Sequence, residues 1–308
     1  MPGSIRDAIL TGLLASNRIG FQTRKDAFNF VQTCRFYLSN TSSRGTRDTI
    51  YVQDRAVQAV NYPISVDTEK LSQLTESTQN QLEKNQLMNI IGDRKLILRV
   101  DRIEPSKNIL RGLAAYRTLL EQHPEHRGKV QMLALLVPSR TGVDEYQSYL
   151  QQIMAEGGMI NAEFSDQLWE PVRIVVGHNY QRAIAAMQLY DVLVVNPIAD
   201  GMNLVAKEGA LVNQQDGVLV LSEHAGAFYE LGEYALNVSP FDTYGTAEMI
   251  HQALEMPQAE RQKRAEALRS LVKKNDIKQW FDAQVEDALK AFTKADKNSL
   301  TPSTPSTE

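Results

Sequence analysis

Two short stretches hold the residue types best suited to gripping an anion. In RVDRIEPSKN, residues 99–108, Arg102 and Lys107 fall in one short turn after the apolar run KLILRV. Arginine presents a planar fork that matches phosphate, and lysine a mobile point charge. A helix starting near Ser106 would add the partial positive charge of its free N–H groups. The same residues also read as a solvated basic loop with Arg102 paired to Glu104. In ADGMNLVAKEGALV, residues 199–212, Asp200 and Gly201 directly follow the apolar run DVLVVNPI. Gly201 can take a positive φ and lets a ligand approach the backbone. Asn203 can cap the next helix, so that the N–H groups after it face outward. A diphosphate there would meet N–H donors. Glu208 follows Asn203 by roughly 7–8 Å along a helix axis, an offset from which a carboxylate can accept two ribose hydroxyls. Its alternative is a surface charge paired with Lys207 or Arg182, although the apolar residues of LVAKEGALV point to a largely buried helix.

Two more loops follow apolar runs. VPSR, residues 137–140, ends the run KVQMLALLV, and Arg140 can meet another anionic group. GHNYQR, residues 177–182, follows VRIVV, and its backbone can edge onto a base with Tyr180 beside it. Neither loop alone is specific, and taken singly each reads first as structural; together, four such loops end four apolar runs. His178 and His224 lie in loops of this kind, but no metal-ligand spacing joins them to another His or Cys, so no metal site is expected. Neither a G-x-S-x-G elbow nor a P-loop pattern is present.

These loops need a scaffold that brings them to one edge. From residue 95 to about 250, short apolar runs alternate with amphipathic stretches. Strands that are apolar throughout, separated by helices, form a parallel sheet covered on both faces. The ligands of such doubly wound α/β domains bind beyond the carboxyl ends of the strands. Within this region VDEYQSYLQQIMAEG reads as a helix stopping at Gly157. Upstream, residues 5–15 and RKDAFNFVQTCRFYL read as helices, RIGF and AVQAVNYPISVD as strands, SNTSSRGTRDT as a loop, and the charged stretch 68–88 as a connecting helix. Residues 257–293 read as two helices joined near Asn275-Asp276. The polar, Pro-rich end is expected to be a disordered tail.

Composition narrows the function classes. The 308 residues suit about two domains. A net charge of −4 supplies no cationic field for nucleic acid or an anionic membrane. The single cysteine, Cys34, excludes an internal disulfide and fits a reducing compartment. No apolar run is long enough to span a bilayer, and MPGSIRDAIL lacks the layout of a signal peptide. A cytoplasmic location is expected.

RIEPSKN and DGMNLVAKE, in that order, resemble the retaining glycosyltransferases of the trehalose-6-phosphate synthase type, glycosyltransferase family 20. GFQTRKDAFNFV, YPISVD, LLEQHPEHRGKV, LSEHAGAFYELG and NVSPFD resemble the same family in sequence order, from about residue 5 to about residue 290. The resemblance implies a two-domain α/β fold of the GT-B type. Residues 1–88 would be the remnant of an acceptor-side, Rossmann-like N-terminal domain with a connecting helix, and 89–256 the doubly wound, nucleotide-sugar-binding C-terminal domain. Residues 257–294 would be C-terminal helices, the last packing back on the N-terminal domain, and 295–308 the tail. It further implies transfer of glucose from a nucleotide-glucose, UDP-glucose or GDP-glucose, to glucose 6-phosphate, giving trehalose 6-phosphate. No cofactor or metal is implied.

Carried onto this sequence, Arg102 and Lys107 would bind the donor diphosphate. With Asp200, which would hold hydroxyls of the donor glucose, they are the implied catalytic groups. Gly201 and the backbone N–H groups of Met202, Asn203 and Leu204 would help bind glucose and diphosphate. Glu208 would take the ribose, the backbone near Tyr180 the base, and Arg140 the acceptor phosphate. In the family, transfer runs through a front-face path without a protein nucleophile. Relative to that pattern the chain is shortened at its N-terminus and carries Glu104-Pro105 where members often have Asp-Tyr. The expected partners are small-molecule substrates, not nucleic acid or membrane, with homo-oligomer formation or association through the incomplete first domain. The alternatives are a nucleotide-sugar-binding module without turnover, or a related synthase using a glucosylglycerol-phosphate or pseudo-glycoside type of acceptor.

Overall fold

In a computed structural model of the chain, residues 1–42, 46–140 and 142–299 are described, with side chains as far as Lys290. The chain opens with α1 (Gly3–Leu13), β1 (Arg18–Phe21) and α2 (Arg24–Tyr37). Thr23 starts α2 by a reciprocal cap: its Oγ1 accepts from the Asp26 N–H at 3.0 Å and donates to the Asp26 carboxylate at 2.6 Å. Ala27, Phe30, Val31 and Cys34, at helical spacing, form its buried face. Next come β2 (Thr41–Ser42), β3 (Thr49–Val52) and β4 (Arg55–Asn61), in a sheet of order β1-β4-β3-β2. Only the β1–β4 pairing is parallel. Strands β2 and β3 lie in or beside the stretch read as a loop. The two-residue turn between β3 and β4 is Gln53-Asp54, with Gln53 at φ 55°, and lacks the Asn-Gly type signal that marks such hairpins.

The helical stretch after residue 67 is broken. Ser77 ends α3 (Thr68–Glu76) and caps α4 (Thr78–Ile91), its Oγ accepting from the Asn80 N–H at 3.2 Å. There follow β5 (Lys95–Arg102), α5 (Ile109–Gln122), β6 (Val130–Val137), α6 (Asp144–Phe164), β7 (Val172–Val176), α7 (Tyr180–Leu189), β8 (Val192–Val195) and α8 (Leu204–Val212). Then come β9 (Val218–Ser222), α9 (Phe228–Leu231), β10 (Leu236–Val238), α10 (Thr243–Glu255), α11 (Gln258–Lys274) and α12 (Ile277–Ser299). Helix α6 does not stop at Gly157. That glycine allows close packing instead, since a Cβ there would lie 2.6 Å from Ile174 Cδ1.

Strands β5 to β10 form one sheet, parallel throughout, in the order β10-β9-β8-β5-β6-β7. The chain runs outward from β5 to β7, then returns to the other side of β5 with β8. The order therefore reverses between β5 and β8. The loops leaving these two strands meet there, the Ile198 N–H donating to the Ser106 carbonyl at 2.8 Å, and the carboxyl edge at such a reversal is where these sheets bind ligands.

By contacts the chain divides into two units, Met1–Ser65 with the chain from Asn275 onward, and Val66–Lys274. The division falls at residue 65, not at 88, because α4 packs on α7. Glu83 binds Arg182 at 2.9 Å and Asn179 at 2.9 Å, and Asn80 binds the Gln181 carbonyl at 3.0 Å. Within the first unit, Trp280 Nε1 of α12 donates to the Tyr62 carbonyl at 3.2 Å, and Asp287 takes both Tyr62 Oη at 2.8 Å and Arg18 at 2.7 Å. Helix α12 continues to Ser299, five residues into the expected tail; residues 300–308 lie outside the described residues.

The first unit exposes large apolar side chains, among them Ile5 and Ile9 of α1 and Phe28 and Phe36 of α2, the last 81% exposed. Large apolar side chains left exposed in this number favour association. We expect concentration-dependent self-association in sedimentation velocity, reduced by the double substitution Ile9→Ser and Phe36→Ser. A wild-type chain that stays monomeric at all concentrations would contradict this.

Candidate functional site

The reversal of strand order sets the loop after β5 beside the loop after β8. Lys107 Nζ and Asp200 Oδ2, far apart in sequence, form an ion pair at 2.5 Å. The same carboxylate oxygen accepts from Asn203 Nδ2 at 3.0 Å. Asn203 sits at φ 77°, and its Oδ1 accepts from the Ala206 N–H at 3.0 Å, so it caps α8 as its residue type suggests. The other N–H groups of the first turn have no partner within the helix, and the positive end of the helix dipole lies at this cap. Asp200 is also fixed through its backbone, its N–H donating to the His224 carbonyl at 3.2 Å and its carbonyl accepting from Gly226 at 2.9 Å. Gly226 allows that approach, because a Cβ there would overlap the Gly201 carbonyl and crowd Met202.

Arg102 behaves differently from Lys107. It is exposed and pairs with Glu104 at 2.5 Å, the arrangement of the solvated-loop reading. Glu104 also accepts from Ser139 Oγ at 2.9 Å, which ties the loop after β6 to the loop after β5. Arg140, next to Ser139, is exposed, holds φ 46° and places its guanidinium 5.5 Å from the Tyr146 ring. No regular helix begins near Ser106. Residues Pro105–Lys107 make a 3-10 turn, and α5 starts after Asn108 at φ 60°. Asn108 holds that turn by donating to the Asn196 carbonyl at 3.0 Å and the Pro240 carbonyl at 2.7 Å.

Glu208 pairs with neither of the cations weighed for it. Tyr180 Oη donates to Glu208 Oε1 at 2.8 Å, while Arg182 goes to Glu83 and Lys207 to Glu230 at 2.6 Å. Burial pushes the Glu208 carboxyl above its usual range, and the Tyr180 hydrogen bond pulls it part of the way back. Burial first, then the neighbouring Glu208, raises the Tyr180 phenol.

Beneath these loops lies a charged group that sequence reasoning passed over. Arg99 is 1% exposed. It binds Asp101 at 2.9 Å, Asn196 Oδ1 at 2.6 Å and the Lys107 carbonyl. The available signal was an arginine inside the otherwise apolar run KLILRV. Lys207 is wholly buried, in keeping with the buried helix expected from LVAKEGALV. Burial pushes the Asp101 carboxyl up to about 6, against the pull of Arg99 and Lys107.

The family model of glycosyltransferase family 20 matches residues 1–290. The chain belongs to glycosyltransferase family 20. Within this family it is 36% identical over 285 residues to a bifunctional trehalose-6-phosphate synthase/phosphatase of Thermoproteus tenax, covering 91% of this chain and 38% of that protein. A UDP-forming alpha,alpha-trehalose-phosphate synthase of Burkholderia xenovorans, solved with glucose-6-phosphate, superposes with a TM-score of 0.85 at 31% identity, covering 93% of this chain and 65% of that one. An E. coli structure bound with UDP-2-fluoro glucose gives a TM-score of 0.84 at 31% identity, covering 91% of this chain and 62% of that one. This family 20 chain therefore spans less than two thirds of these relatives. It carries the Rossmann-like α/β fold of the GT-B glycosyltransferases. Among the described residues, no helix is long and apolar enough to cross a membrane.

The Asp101 environment makes a prediction for this family 20 fold. Its carboxyl is raised from 3.8 to about 6 in the folded state, so between these values the folded chain holds more protons than the unfolded chain. Stability must then fall as pH rises through this window and level off above it. Wild type and Asp101→Asn, compared by urea unfolding from pH 4 to pH 7, should show the wild-type-minus-variant difference shrinking as pH rises. A pH-independent difference would place the Asp101 carboxyl in its ordinary range.

Proposed function

We propose that this chain supplies the donor side of a retaining glucosyl transfer from a nucleotide-glucose, UDP-glucose for preference, to glucose 6-phosphate, with trehalose 6-phosphate as product. The observation that carries the reading is the Lys107–Asp200 pair beside the α8 N-terminus, at the reversal of strand order. A cation and free N–H groups converge there, as stabilising the charge that develops on a departing diphosphate requires. Lys107 would move from Asp200 to the diphosphate. Asp200 would then accept hydroxyls of the donor glucose, with Asn203 still holding one of its oxygens. Gly201 and the N–H groups of Met202, Asn203 and Leu204 would line the glucose and diphosphate. Glu208, with Tyr180 on one oxygen, would offer the other to the ribose.

Arg102 must leave Glu104 to reach the diphosphate, and its exposure lets it swing. Arg140 would meet the acceptor phosphate, and its loop is coupled to the Arg102 loop through Ser139 and Glu104. The cysteine usage and the nature of the substrates suit a cytoplasmic enzyme. The relative solved with glucose-6-phosphate and the one bound with UDP-2-fluoro glucose support the choice of acceptor and donor.

The test is calorimetric titration with UDP, together with mass-spectrometric detection of trehalose 6-phosphate from UDP-glucose or GDP-glucose and glucose 6-phosphate. Lys107→Ala removes one charge-assisted contact, worth about 1.5–3 kcal/mol, so UDP affinity should fall by about 10- to 100-fold. Glu208→Gln should weaken UDP and leave inorganic diphosphate unaffected. Equal UDP affinity in wild type and Lys107→Ala would remove that lysine from the donor site. A chain that binds neither UDP nor GDP would overturn the proposal.

A further inference from the structure

The opposite edge of the larger sheet holds a cluster that the donor-side reading does not use. Helix α5 ends at Gln122, and His123, Glu125 and His126 lie in the turn that leads to the start of β6. Glu248 and His251 come from α10, one turn apart on one face. His123 Nε2 lies 2.9 Å from Glu248 Oε1. That contact leaves Nδ1 of the ring, which lies 3.4 Å from Glu125 Oε1. A carboxylate on the outer nitrogen of an imidazole is the arrangement that orients metal-bound histidines. His126 Nε2 sits 2.9 Å from His251 Nδ1 and holds that second ring in the same way.

One ligand atom from each of His123, Glu125 and His251 lies within 4.8 Å of the other two. Bonds of about 2.0–2.1 Å in a tetrahedral zinc site put ligand atoms about 3.3 Å apart, so closing on an ion needs shifts of about 1 Å. The His123 and His251 rings stack at 3.6 Å with a 9° tilt, so their lone pairs lie in nearly parallel planes that do not meet at one point. One ring must therefore turn out of the stack before both can face one ion. The exposed Glu125 is free to follow it.

We propose that His123, Glu125 and His251 bind a divalent transition-metal ion of the zinc class, with Glu248 and His126 orienting the two imidazoles. Two imidazole nitrogens and a carboxylate suit zinc, cobalt or nickel better than magnesium or calcium, which take all-oxygen sites. The ion ties the turn after α5 to α10. It lies at the amino ends of the strands, whereas Lys107 and Asp200 lie at the carboxyl ends, so its role is structural. The spacing of histidines along the sequence gave no such site; the fold assembles it from segments more than a hundred residues apart.

The experiment uses the tag-free full chain, stripped with a chelator and titrated with Zn²⁺ by calorimetry and with Co²⁺ by visible absorption. One Zn²⁺ per chain is expected, with Co²⁺ bands of a nitrogen–oxygen ligand set and no comparable Mg²⁺ binding. Loss of a ligand should weaken Zn²⁺ by at least the roughly 10–100-fold seen for outer partners. Glu125→Ala and His251→Ala should show this, and Zn²⁺ should raise Tm in wild type only. Because Glu125 is exposed, its variant tests the site even if His251→Ala does not fold. Absence of Zn²⁺ binding, equal affinity in Glu125→Ala, or Mg²⁺ binding as tight as Zn²⁺ would overturn the proposal.

Discussion

A buried guanidinium organises the carboxyl edge of the larger sheet. Arg99 sits in β5 with almost no exposure, where an unpaired charge would be very costly. Its partners come from three segments: Asp101 on its own strand, the Lys107 carbonyl from the loop after β5, and Asn196 from the loop after β8. These bonds form together only when the two loops lie where they do. Gly112 makes room for them, because a Cβ there would collide with the guanidinium. Removing Arg99 would leave Asp101 buried without its ion-pair partner, and such half-broken pairs are strongly destabilising.

Side chains, more than ladder hydrogen bonds, then shape the backbone above Arg99. Asn108 and Asn203 both hold positive φ, and both use their amides to secure the chain there. Behind α8, the buried Lys207–Glu230 pair fixes the helix to α9, which follows the Gly226 turn. The loop that carries Asp200 is therefore held from both sides. This is the kind of support a site needs if its groups are to stay aligned before a ligand arrives.

The parallel sheet was legible in the sequence because its strands are mostly continuous apolar runs, β6, β8 and β9 most plainly. The hairpin β3–β4 was not, since its turn is Gln53-Asp54 and β3 begins within a polar stretch. The break at Ser77 was hidden for a similar reason: no Gly or Pro marks it, only a serine that ends one helix and caps the next. At the site, Lys107, Asp200, Asn203 and Glu208 could be picked out by residue type and position after apolar runs. Their partners could not. That Tyr180 pairs with Glu208, and that Arg102 turns to Glu104, depends on the relative placement of helices and loops, and periodicity does not carry that information.

The resting pairings bear on how the proposed donor would bind. A lysine with only 12% of its side chain exposed is costly to leave uncompensated, and Asp200 neutralises it. An incoming diphosphate would therefore exchange one anionic partner of Lys107 for another. The gain from the Lys107–diphosphate pair would be partly offset by the lost Lys107–Asp200 pair, whereas without Lys107 the Asp200 carboxylate would face the diphosphate uncompensated. The exchange has a second effect. It would free Asp200 Oδ2 from Lys107 while Asn203 keeps the carboxylate in place, so that oxygen would become available to a sugar hydroxyl when the diphosphate arrives. In the proposed reading, diphosphate and sugar recognition would be coupled through one side chain, and nucleoside diphosphate alone would free a carboxylate oxygen that no sugar then satisfies.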